Sequence, residues 1–451
     1  MDLKNFFSAQ SIALVGVSKD PKKVGHVILR NFVDGEYRGK VFVVNPNADE
    51  ILGRKSYKSV LDIKEQVDLA IIAVPAELVP KVIDECGKKK IRHAIIVTAG
   101  FKEVGNHRLD QKLELALKKN RILALGPNCL GAFDAYTKMD SLFLPRYRMQ
   151  RPKEGGISFV CQSGAVGSAI LDYATDKGYK FSKFASYGNA MNVDESDLLE
   201  YMGNDPNTKV ICLYVEAVKD GKKFIKVAKE VSRKKPIIAI KGGKTEEGSK
   251  AALSHTGSMA GSAAIYSSIF RQCNVIEAAS LGEMFDIAKM FEICALPMGR
   301  RVQVITNGGG YGILSTDAIV SSGLKMAQMS AEVLKDLRKQ MPAITTANPM
   351  DLLGDATTER YKTAMNAALK DYSVDIVLMI VLYQTPLVTT DIVDVIVETN
   401  DLCRKPIACV STGGEFTETL KKSLESNGVP CYNFPEEAVR AIAKFVQYHR
   451  K

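Results

Sequence analysis

The sequence has little that would indicate a metal protein, a secreted protein or a membrane protein. Its nine cysteines include no Cys-x-x-Cys pair and none at metal-ligand spacing from a histidine. This argues against a zinc site or a disulfide framework and favours a reducing cytoplasm. No apolar run is long enough to span a bilayer, and the polar start Met1–Phe7 is unlike a signal peptide. We therefore expect a cytoplasmic protein with no bound metal and no membrane contact.

Stripes of arginine interleaved with aromatic residues are also missing, so nucleic acid is not an expected partner. The net charge of +10 suits an anionic ligand, although a solvated lysine-rich surface accounts for most of these lysines. A length of 451 residues with 46% apolar and 25% charged residues is typical of a soluble globular protein. The length is sufficient for about three domains.

The first part of the chain alternates short apolar runs with helical patterns. Unbroken apolar strands between helices indicate a parallel sheet that is covered on both faces. We therefore predict a Rossmann-like nucleotide domain over residues 1–140. Its predicted strands are Ser11–Gly16, Lys40–Asn45, Val67–Pro75, Ala94–Thr98 and Arg121–Gly126.

The signature of a dinucleotide site is absent from this domain. The loop Gly16–Gly25 does not fit Gly-x-Gly-x-x-Gly, and the second strand ends in Asn45-Pro46-Asn47 instead of a carboxylate. NAD is therefore disfavoured, whereas coenzyme A, with its polyphosphate and extra 3′-phosphate, suits a loop of amides and lysines. Any single Gly or Pro here could be an ordinary turn residue. The candidate CoA-binding residues, all at strand-end turns, are Gly16, Val17, Ser18, Lys22, Gly25, Asn45, Pro46, Val74, Pro75, Ala99, Gly100, Asn128 and Cys129.

A second α/β domain is predicted over residues 150–290, after a charged, proline-containing linker at 146–154. A strand at Gly156–Cys161 leads into the small-residue turn Gln162–Gly167 and a helix at Ser168–Lys177. Such a turn is an anion site, because free amides and the helix dipole point at the ligand. Ser163 and Gly164 are therefore candidate phosphate-binding residues. Further strands at Lys180–Ser186, Val210–Glu216 and Pro236–Lys241 make the domain flavodoxin-like.

The glycine-rich and hydroxyl-rich stretch Lys241–Gly261 carries one histidine, His255. A neutral imidazole is a nucleophile near pH 7 and can attack phosphorus. Glu216, at the end of a neighbouring strand, could accept the Nδ1 proton and leave Nε2 free to attack. The alternative for the stretch Lys241–Gly261 is a solvated loop in which His255 is incidental. The alternative for Glu216 is a surface carboxylate at the end of a strand. In the loop Tyr187–Glu195, Asn189 and Asn192 are candidate substrate contacts.

Residues 297–451 repeat this pattern and predict a second flavodoxin-like domain. A strand at Arg301–Asn307 leads into a glycine turn that opens a helix, so Gly309 and Gly310 are candidate phosphate-binding residues. Two helix ends of this type imply either two anion sites or one anion held between two domains. Further strands are predicted at Val374–Leu382 and Pro406–Ser411.

Taken in order along the whole chain, these motifs resemble the NDP-forming acyl-CoA synthetases of the succinyl-CoA synthetase superfamily. The most similar form is the α subunit of ADP-forming acetyl-CoA synthetase. Each motif alone is weak, but the ordered set is specific. The resemblance rests on Ser11–Gly16, Gly126–Cys129, Gln162–Gly164, Glu216, Ser254–Ser258 and Asn307–Gly310.

The resemblance implies a Rossmann-like CoA-binding domain followed by two flavodoxin-like, succinyl-CoA synthetase-like domains. It implies that acyl-CoA, phosphate and ADP are converted to acid, CoA and ATP through an acyl phosphate and a phosphohistidine at His255. Glu216 would hold the imidazole, and the turns at Ser163-Gly164 and Gly309-Gly310 would flank the phosphohistidine.

Nothing in the sequence resembles an ATP-grasp module, so the resemblance places the ADP/ATP and Mg²⁺ site on a separate β subunit, in an α2β2 heterotetramer. The substrate is expected to be a small acyl-CoA or carboxylic acid, while the preferred acyl group and the choice of ADP or GDP stay open. Two other functions remain as alternatives: a non-catalytic CoA-binding regulatory protein and an NAD-dependent dehydrogenase.

Overall fold

The structure is a computed structural model that describes residues 1–248, 262–402 and 405–450. The chain divides into two compact units, Met1–Ala278 and Ala279–Lys451. The described part contains no helix with the length and apolar character needed to cross a bilayer.

The first unit begins with a seven-stranded sheet of order β3-β4-β2-β1-β5-β6-β7. The central strand β5 is apolar and buried along its whole length, as expected for a sheet that helices cover on both faces. All pairings of the sheet are parallel except the β3–β4 hairpin. The strands are β1 (Ser11–Val15), β2 (Lys40–Val44), β3 (Glu50–Ile51), β4 (Arg54–Tyr57), β5 (Leu69–Ile72), β6 (His93–Ile96) and β7 (Leu123–Leu125). The helices are α1 (Asn5–Ser8), α2 (Val24–Asp34), α3 (Val79–Lys88) and α4 (His107–Asn120), with 3₁₀ turns at Val60–Asp62, Ala76–Leu78 and Lys102–Val104.

A six-stranded sheet of order β13-β12-β11-β9-β10-β8 completes the first unit. Apolar residues of both sheets belong to one continuous core, which runs from Leu3 to Val275. The strands are β8 (Gly131–Asp134), β9 (Glu154–Cys161), β10 (Phe181–Ser186), β11 (Val210–Val215), β12 (Ile237–Lys241) and β13 (Ile276–Glu277). The helices are α5 (Gly164–Asp176), α6 (Glu195–Asn204), α7 (Gly221–Val231) and α8 (Ala263–Gln272).

Two features of this sheet differ from the sequence prediction. Strand β8 was not predicted, and it pairs antiparallel with β10, so the second sheet is not purely parallel. Helix α5 begins at Gly164, four residues before the predicted start at Ser168. Gly167 lies inside this helix. A Cβ there would lie 2.7 Å from the ring of Phe184, so the glycine permits close packing of the helix on the sheet.

The second unit contains a six-stranded parallel sheet of order β15-β14-β17-β18-β19, with β16 paired to β14. Helix α9 packs against α15. A separate ion pair joins α9 to α14, because the Lys289 ammonium group lies 3.3 Å from the Glu425 carboxylate. The strands are β14 (Arg301–Thr306), β15 (Lys325–Met326), β16 (Met350–Asp351), β17 (Ile376–Ile380), β18 (Ile407–Val410) and β19 (Cys431–Tyr432). The helices are α9 (Leu281–Ile293), α10 (Gly309–Ser321), α11 (Ala331–Gln340), α12 (Thr358–Lys370), α13 (Ile392–Leu402), α14 (Glu415–Ser426) and α15 (Pro435–His449).

Candidate functional site

The predicted CoA-binding residues lie in five turns at one edge of the first sheet. These turns follow β1, β2, β5, β6 and β7, which all run parallel, so their carboxyl ends meet at the same edge. Ligands of open parallel sheets bind at this edge.

The turn after β1 requires two of its glycines. Gly16 has a φ of +92°, and a Cβ there would lie 2.4 Å from the Ala73 carbonyl oxygen. A Cβ on Gly25 would lie 2.4 Å from the Gly16 carbonyl oxygen, so α2 starts in contact with the turn. The Asn45 side chain donates to the Val17 carbonyl at 2.5 Å and fixes the loop from the neighbouring strand. Asn45 therefore shapes the loop through its amide group.

The predicted CoA contacts range from exposed to buried. Lys22, Pro46, Pro75 and Ala99 are exposed and available to a ligand, and most of the others are half-buried. The side chains of Val17 and Cys129 are buried, and burial raises the pKa of the Cys129 thiol to about 12. Cys129 donates its thiol hydrogen to the Ile96 carbonyl at 3.4 Å. These two residues can offer a ligand their main chain but not a reactive side chain.

The turn between β9 and α5 presents free amide hydrogens. The Ser163 hydroxyl caps the helix by accepting from the Val166 N–H at 3.3 Å. Within the described residues, the N–H groups of Gly164 and Ala165 have no hydrogen-bond acceptor. Because the helix dipole adds positive potential here, this end of α5 suits an anion.

Glu216 follows β11 at the same edge and is buried, with 7% of its surface exposed. The parallel register pairs Val215 with Lys241, so Glu216 lies beside Gly242 as the chain leaves β12. A Cβ on Gly242 would lie 3.3 Å from Glu216 Cγ and 2.6 Å from the Tyr214 hydroxyl oxygen. His255 lies outside the described residues, so its predicted pairing with Glu216 stays a prediction.

Gln162, the first residue of the turn, connects β9 to the end of β11. Its Oε1 accepts from the Glu216 N–H at 2.7 Å and from the Ala217 N–H at 3.1 Å. The buried Tyr187 hydroxyl donates to the same oxygen at 3.4 Å, and burial raises the pKa of this hydroxyl. The sequence analysis assigned no role to this side chain, because its partners are distant in the chain.

A cavity of about 370 Å³ joins the two sheet edges within the first unit. Turns of the first sheet and residues of the second line it together. No lysine or arginine is among the described residues that line it, so neutral N–H and hydroxyl groups are its hydrogen-bond donors toward an anion. The polar and small residues that line it include Ala99, Asn128, Cys129, Gln162, Ser163, Gly164, Gly188, Asn189 and Glu216.

The two asparagines predicted as substrate contacts have different surroundings. Asn189 lines the cavity, and its Nδ2 donates to Glu103 Oε2 at 2.6 Å. Asn192 is held by β7, because its Oδ1 accepts from the Ala124 N–H and its Nδ2 donates to the Ile122 carbonyl, both at 2.8 Å. The structure therefore brings only Asn189 of this pair to the cavity.

Glu103 was missed by the sequence analysis and connects the two sheet edges. Its Oε1 accepts from the Gly100 N–H at 2.6 Å while Oε2 binds Asn189. Although burial raises the pKa of Glu103, the hydrogen bonds from Gly100 and Asn189 outweigh it and hold the pKa below its ordinary value. No local pattern distinguished this glutamate from a surface residue.

In the second unit, Gly309 and Gly310 form the exposed first turn of α10, as the sequence predicted. A Cβ on Gly309 would lie 2.9 Å from Asp351 Oδ2, so a carboxylate already lies near this helix end. Asn307 Oδ1 accepts from the Leu382 N–H at 2.9 Å, and its Nδ2 donates at 3.0 Å to the Leu382 carbonyl and to the Thr385 hydroxyl.

Models of three known domain families match the chain in succession. Residues 10–134 match a CoA binding domain, residues 154–291 match a succinyl-CoA ligase-like flavodoxin domain, and residues 302–450 match a ligase-CoA domain. The fold is therefore a CoA-binding Rossmann-like domain followed by succinyl-CoA ligase-like α/β domains, as predicted.

Curated relatives cover the chain almost completely. It is 39% identical to acetate–CoA ligase [ADP-forming] II subunit alpha of Pyrococcus furiosus, over 99% of this chain and 97% of that subunit. It is 40% identical to acetate–CoA ligase [ADP-forming] of Methanocaldococcus jannaschii over 99% of this chain, but spans only 63% of that relative, just under two thirds of its length.

A solved structure has the same fold along the whole chain. The dinucleotide-forming acetyl-coenzyme A synthetase 1 of Candidatus Korarchaeum cryptofilum, in complex with phosphate and ADP, matches with a TM-score of 0.93 and 38% identity. The match covers 100% of this chain and 97% of that one. The chain belongs to the family of ADP-forming acetate–CoA ligases and corresponds over its full length to their α subunit.

Proposed function

We propose that the chain is the α subunit of an ADP-forming acyl-CoA synthetase that converts acyl-CoA, phosphate and ADP to the free acid, CoA and ATP. The observation that carries this proposal is the cavity that joins the CoA-type sheet edge to the start of α5 and to Glu216. A thioester carried by CoA at the first edge and a phosphate at the second would meet there. Acetyl-CoA is the first substrate to test, because acetate–CoA ligases are the closely similar relatives.

The first chemical step takes place between phosphate and the thioester. A phosphate oxygen attacks the acyl carbon, the carbon–sulfur bond breaks, and CoA leaves with its thiol protonated. The N–H groups of Gly164 and Ala165 are oriented to hold the phosphate by charge-assisted hydrogen bonds. Asn128 and Asn189 line the other side of the cavity, where the acyl group would lie.

The second step transfers the phosphoryl group to the chain. Nε2 of His255 attacks the phosphorus of the acyl phosphate, the bond from phosphorus to the acyl oxygen breaks, and the carboxylate leaves. The Nδ1–H group of His255 donates a hydrogen bond to the Glu216 carboxylate, which fixes the tautomer in which Nε2 is free to attack. Its position beside Gly242 supports this role, because Gly242 begins the segment that leads to His255.

The nucleotide half of the reaction requires a partner. We propose that an ATP-grasp β subunit binds ADP with Mg²⁺, receives the phosphoryl group, and forms an α2β2 heterotetramer with this chain in the cytoplasm. Two facts support a partner: similar proteins of the same length carry the name subunit alpha, and the Methanocaldococcus jannaschii relative is longer than this chain.

The test is a phosphate- and ADP-dependent release of CoA from acetyl-CoA by the chain co-expressed with its partner subunit. Wild type should also form an acid-labile, base-stable phosphoprotein with acetyl-CoA and phosphate. His255→Ala should abolish both signals, while His107→Ala, on the exposed start of α4, should preserve them. CoA binding without CoA release or label would favour a regulatory protein, and NAD binding without CoA binding would favour a dehydrogenase.

A further inference from the structure

Gln162 has its oxygen and its nitrogen in different environments. Oε1 accepts hydrogen bonds from the Glu216 and Ala217 backbone N–H groups and from the Tyr187 hydroxyl. Within the described residues, Nε2 has no acceptor, although the side chain lines the cavity. The side chain thus has a satisfied acceptor and a donor group left for another molecule.

The orientation of this amide is fixed by its partners. Rotating the amide by 180° would place the NH₂ group against two backbone N–H donors and lose both hydrogen bonds. The backbone of Glu216 and Ala217 therefore fixes where the Gln162 nitrogen lies. A donor that is held in place before a ligand arrives needs no reorganisation when charge develops on that ligand.

The equivalent position in the second unit indicates that the free donor is not a general requirement of this turn. Asn307 also accepts a backbone N–H from beyond the neighbouring strand, but its Nδ2 is used by the Leu382 carbonyl and the Thr385 hydroxyl. A strand–turn–helix connection of this kind can therefore satisfy its amide side chain internally. At Gln162, by contrast, the side-chain nitrogen has no acceptor among the described residues and remains available to a ligand in the cavity.

The neighbouring groups define which ligand the donor suits. The N–H groups of Gly164 and Ala165 are also without acceptors among the described residues, and none of the described residues that line the cavity is cationic. Several neutral N–H donors with no ammonium or guanidinium group suit a tetrahedral oxyanion that must enter and leave. The ligand class is therefore a phosphoryl group bound by dipoles.

We propose that Gln162 is an oxyanion-binding residue that donates its Nε2 hydrogen to a phosphoryl oxygen of the phosphate and of the acyl phosphate, while its Oε1 fixes the backbone at Glu216. The proposal rests on the proposed function and names a further residue for its first two steps. It predicts that removal of the donor weakens the binding of phosphate more than it weakens the binding of ADP.

The decisive variant is Gln162→Glu, which preserves the shape and the acceptor but replaces the donor by a carboxylate. In the complete complex, the KM for phosphate should rise at least tenfold and kcat should fall about 100-fold, the size expected for loss of one oxyanion donor. The KM for ADP should stay within twofold.

Two further variants separate this role from a structural one. Gln162→Met, which removes both donor and acceptor, should lose phosphate affinity and, unlike Gln162→Glu, should also lose stability, because the Glu216 and Ala217 N–H groups lose their acceptor. Gln150→Glu, on the exposed surface of the same unit, should match wild type. The proposal is overturned if Gln162→Glu retains the wild-type KM for phosphate and the wild-type kcat.

A direct binding measurement keeps the two proposals distinguishable. Inorganic phosphate is titrated into the complex without ADP, and binding is followed by calorimetry. If wild type binds phosphate and Gln162→Glu does not, the role of Gln162 holds even when no CoA is released. If CoA is released and both proteins bind phosphate equally, only the role of Gln162 fails.

Discussion

The turns that open α5 and α10 have the same chain path but different hydrogen-bond chemistry. In each, an amide side chain at the end of a strand accepts an N–H from beyond the neighbouring strand: Gln162 from Glu216, and Asn307 from Leu382. The α5 turn is capped by the Ser163 hydroxyl, whereas Gly308 at the start of α10 has no side chain to cap the helix. We infer that a similar glycine-rich sequence can bind a ligand in one place and stabilise the fold in another.

Each turn also has a carboxylate nearby, and their positions differ. Glu216 lies at the cavity, beside the residue where the chain leaves β12. Asp351 lies beside Gly309, where its negative charge interacts favourably with the helix dipole. We therefore expect Glu216 to take part in the reaction. We also expect substitutions at the α5 turn to lower activity more than substitutions at the α10 turn.

The largest effect is expected at Glu216. Glu216→Gln should lower the rate of phosphoprotein formation about 100-fold or more, because a neutral amide lacks the negative charge that stabilises the imidazole ring as it becomes positive during attack. The rate is measured by rapid quench with labelled phosphate and acetyl-CoA. Glu154→Gln, at the exposed opposite end of β9, is the matched control. An unchanged rate in Glu216→Gln would contradict a role for Glu216 in the reaction, and with it the functional difference that we expect between Glu216 and Asp351.

The second prediction concerns the internally satisfied amide. Asn307→Asp replaces two donated hydrogen bonds by repulsion with the Leu382 carbonyl, so the second unit should lose about 3 kcal/mol of unfolding free energy. Gln162→Glu preserves its acceptor bonds and should change stability by less than about 1 kcal/mol. Hydrogen exchange of β14 and β17 measures the first effect. Equal losses of unfolding free energy in both variants would mean that the two amide side chains stabilise the fold to the same extent.

The third prediction concerns buried carboxyl groups of the two units. Burial, and then the charge of Asp194, raise the pKa of Glu195 to about 7, although Lys223 and Lys219 oppose the shift. The bonds and charge of Arg301 outweigh burial and hold the pKa of Asp375 below its ordinary value. The two groups should therefore give the protein opposite pH dependences.

The raised pKa of Glu195 means that the folded state holds this proton longer than the unfolded state. Stability from Glu195 is then lost as the pH rises from about 4.5 to about 7, by about 1.4 kcal/mol per unit of pKa difference. Glu195→Gln should raise the melting temperature at pH 8 by a few degrees and change it little at pH 5. The same gain at both pH values would contradict a titrating Glu195.

Much of the fold could be predicted from apolar runs alone. Strands such as Ser11–Val15 and Ile237–Lys241 lie within one residue of their predicted bounds, because a buried parallel strand is apolar throughout. Strand β8 was missed because its pairing with β10 depends on tertiary contacts. The start of α5 was placed too late because Gly167, which permits packing on Phe184, was interpreted as a turn residue. The bounds of the three predicted domains stay a prediction.

The site was less accessible to sequence reasoning. Strand-end turns predicted the first sheet edge correctly in position, since chain direction alone fixes that edge. The hydrogen bonds between Gln162 and Glu216 and between Glu103 and Asn189 could not be predicted, because each joins residues more than 50 positions apart. The roles of His255, Glu216 and the CoA-binding residues remain predictions for the experiments above.

The start of α8 limits where a carried phosphoryl group can be delivered. Ser262 precedes the first residue of that helix, and His255 lies seven positions before Ser262 in the sequence. A fully extended chain spans at most about 3.6 Å per residue, which gives a radius of about 25 Å from Ser262. While α8 retains its first turn, the His255 Cα stays inside that sphere. A nucleotide that receives phosphate from this histidine must therefore bind inside the sphere or within one phosphorylated side chain of its surface, whichever polypeptide holds it.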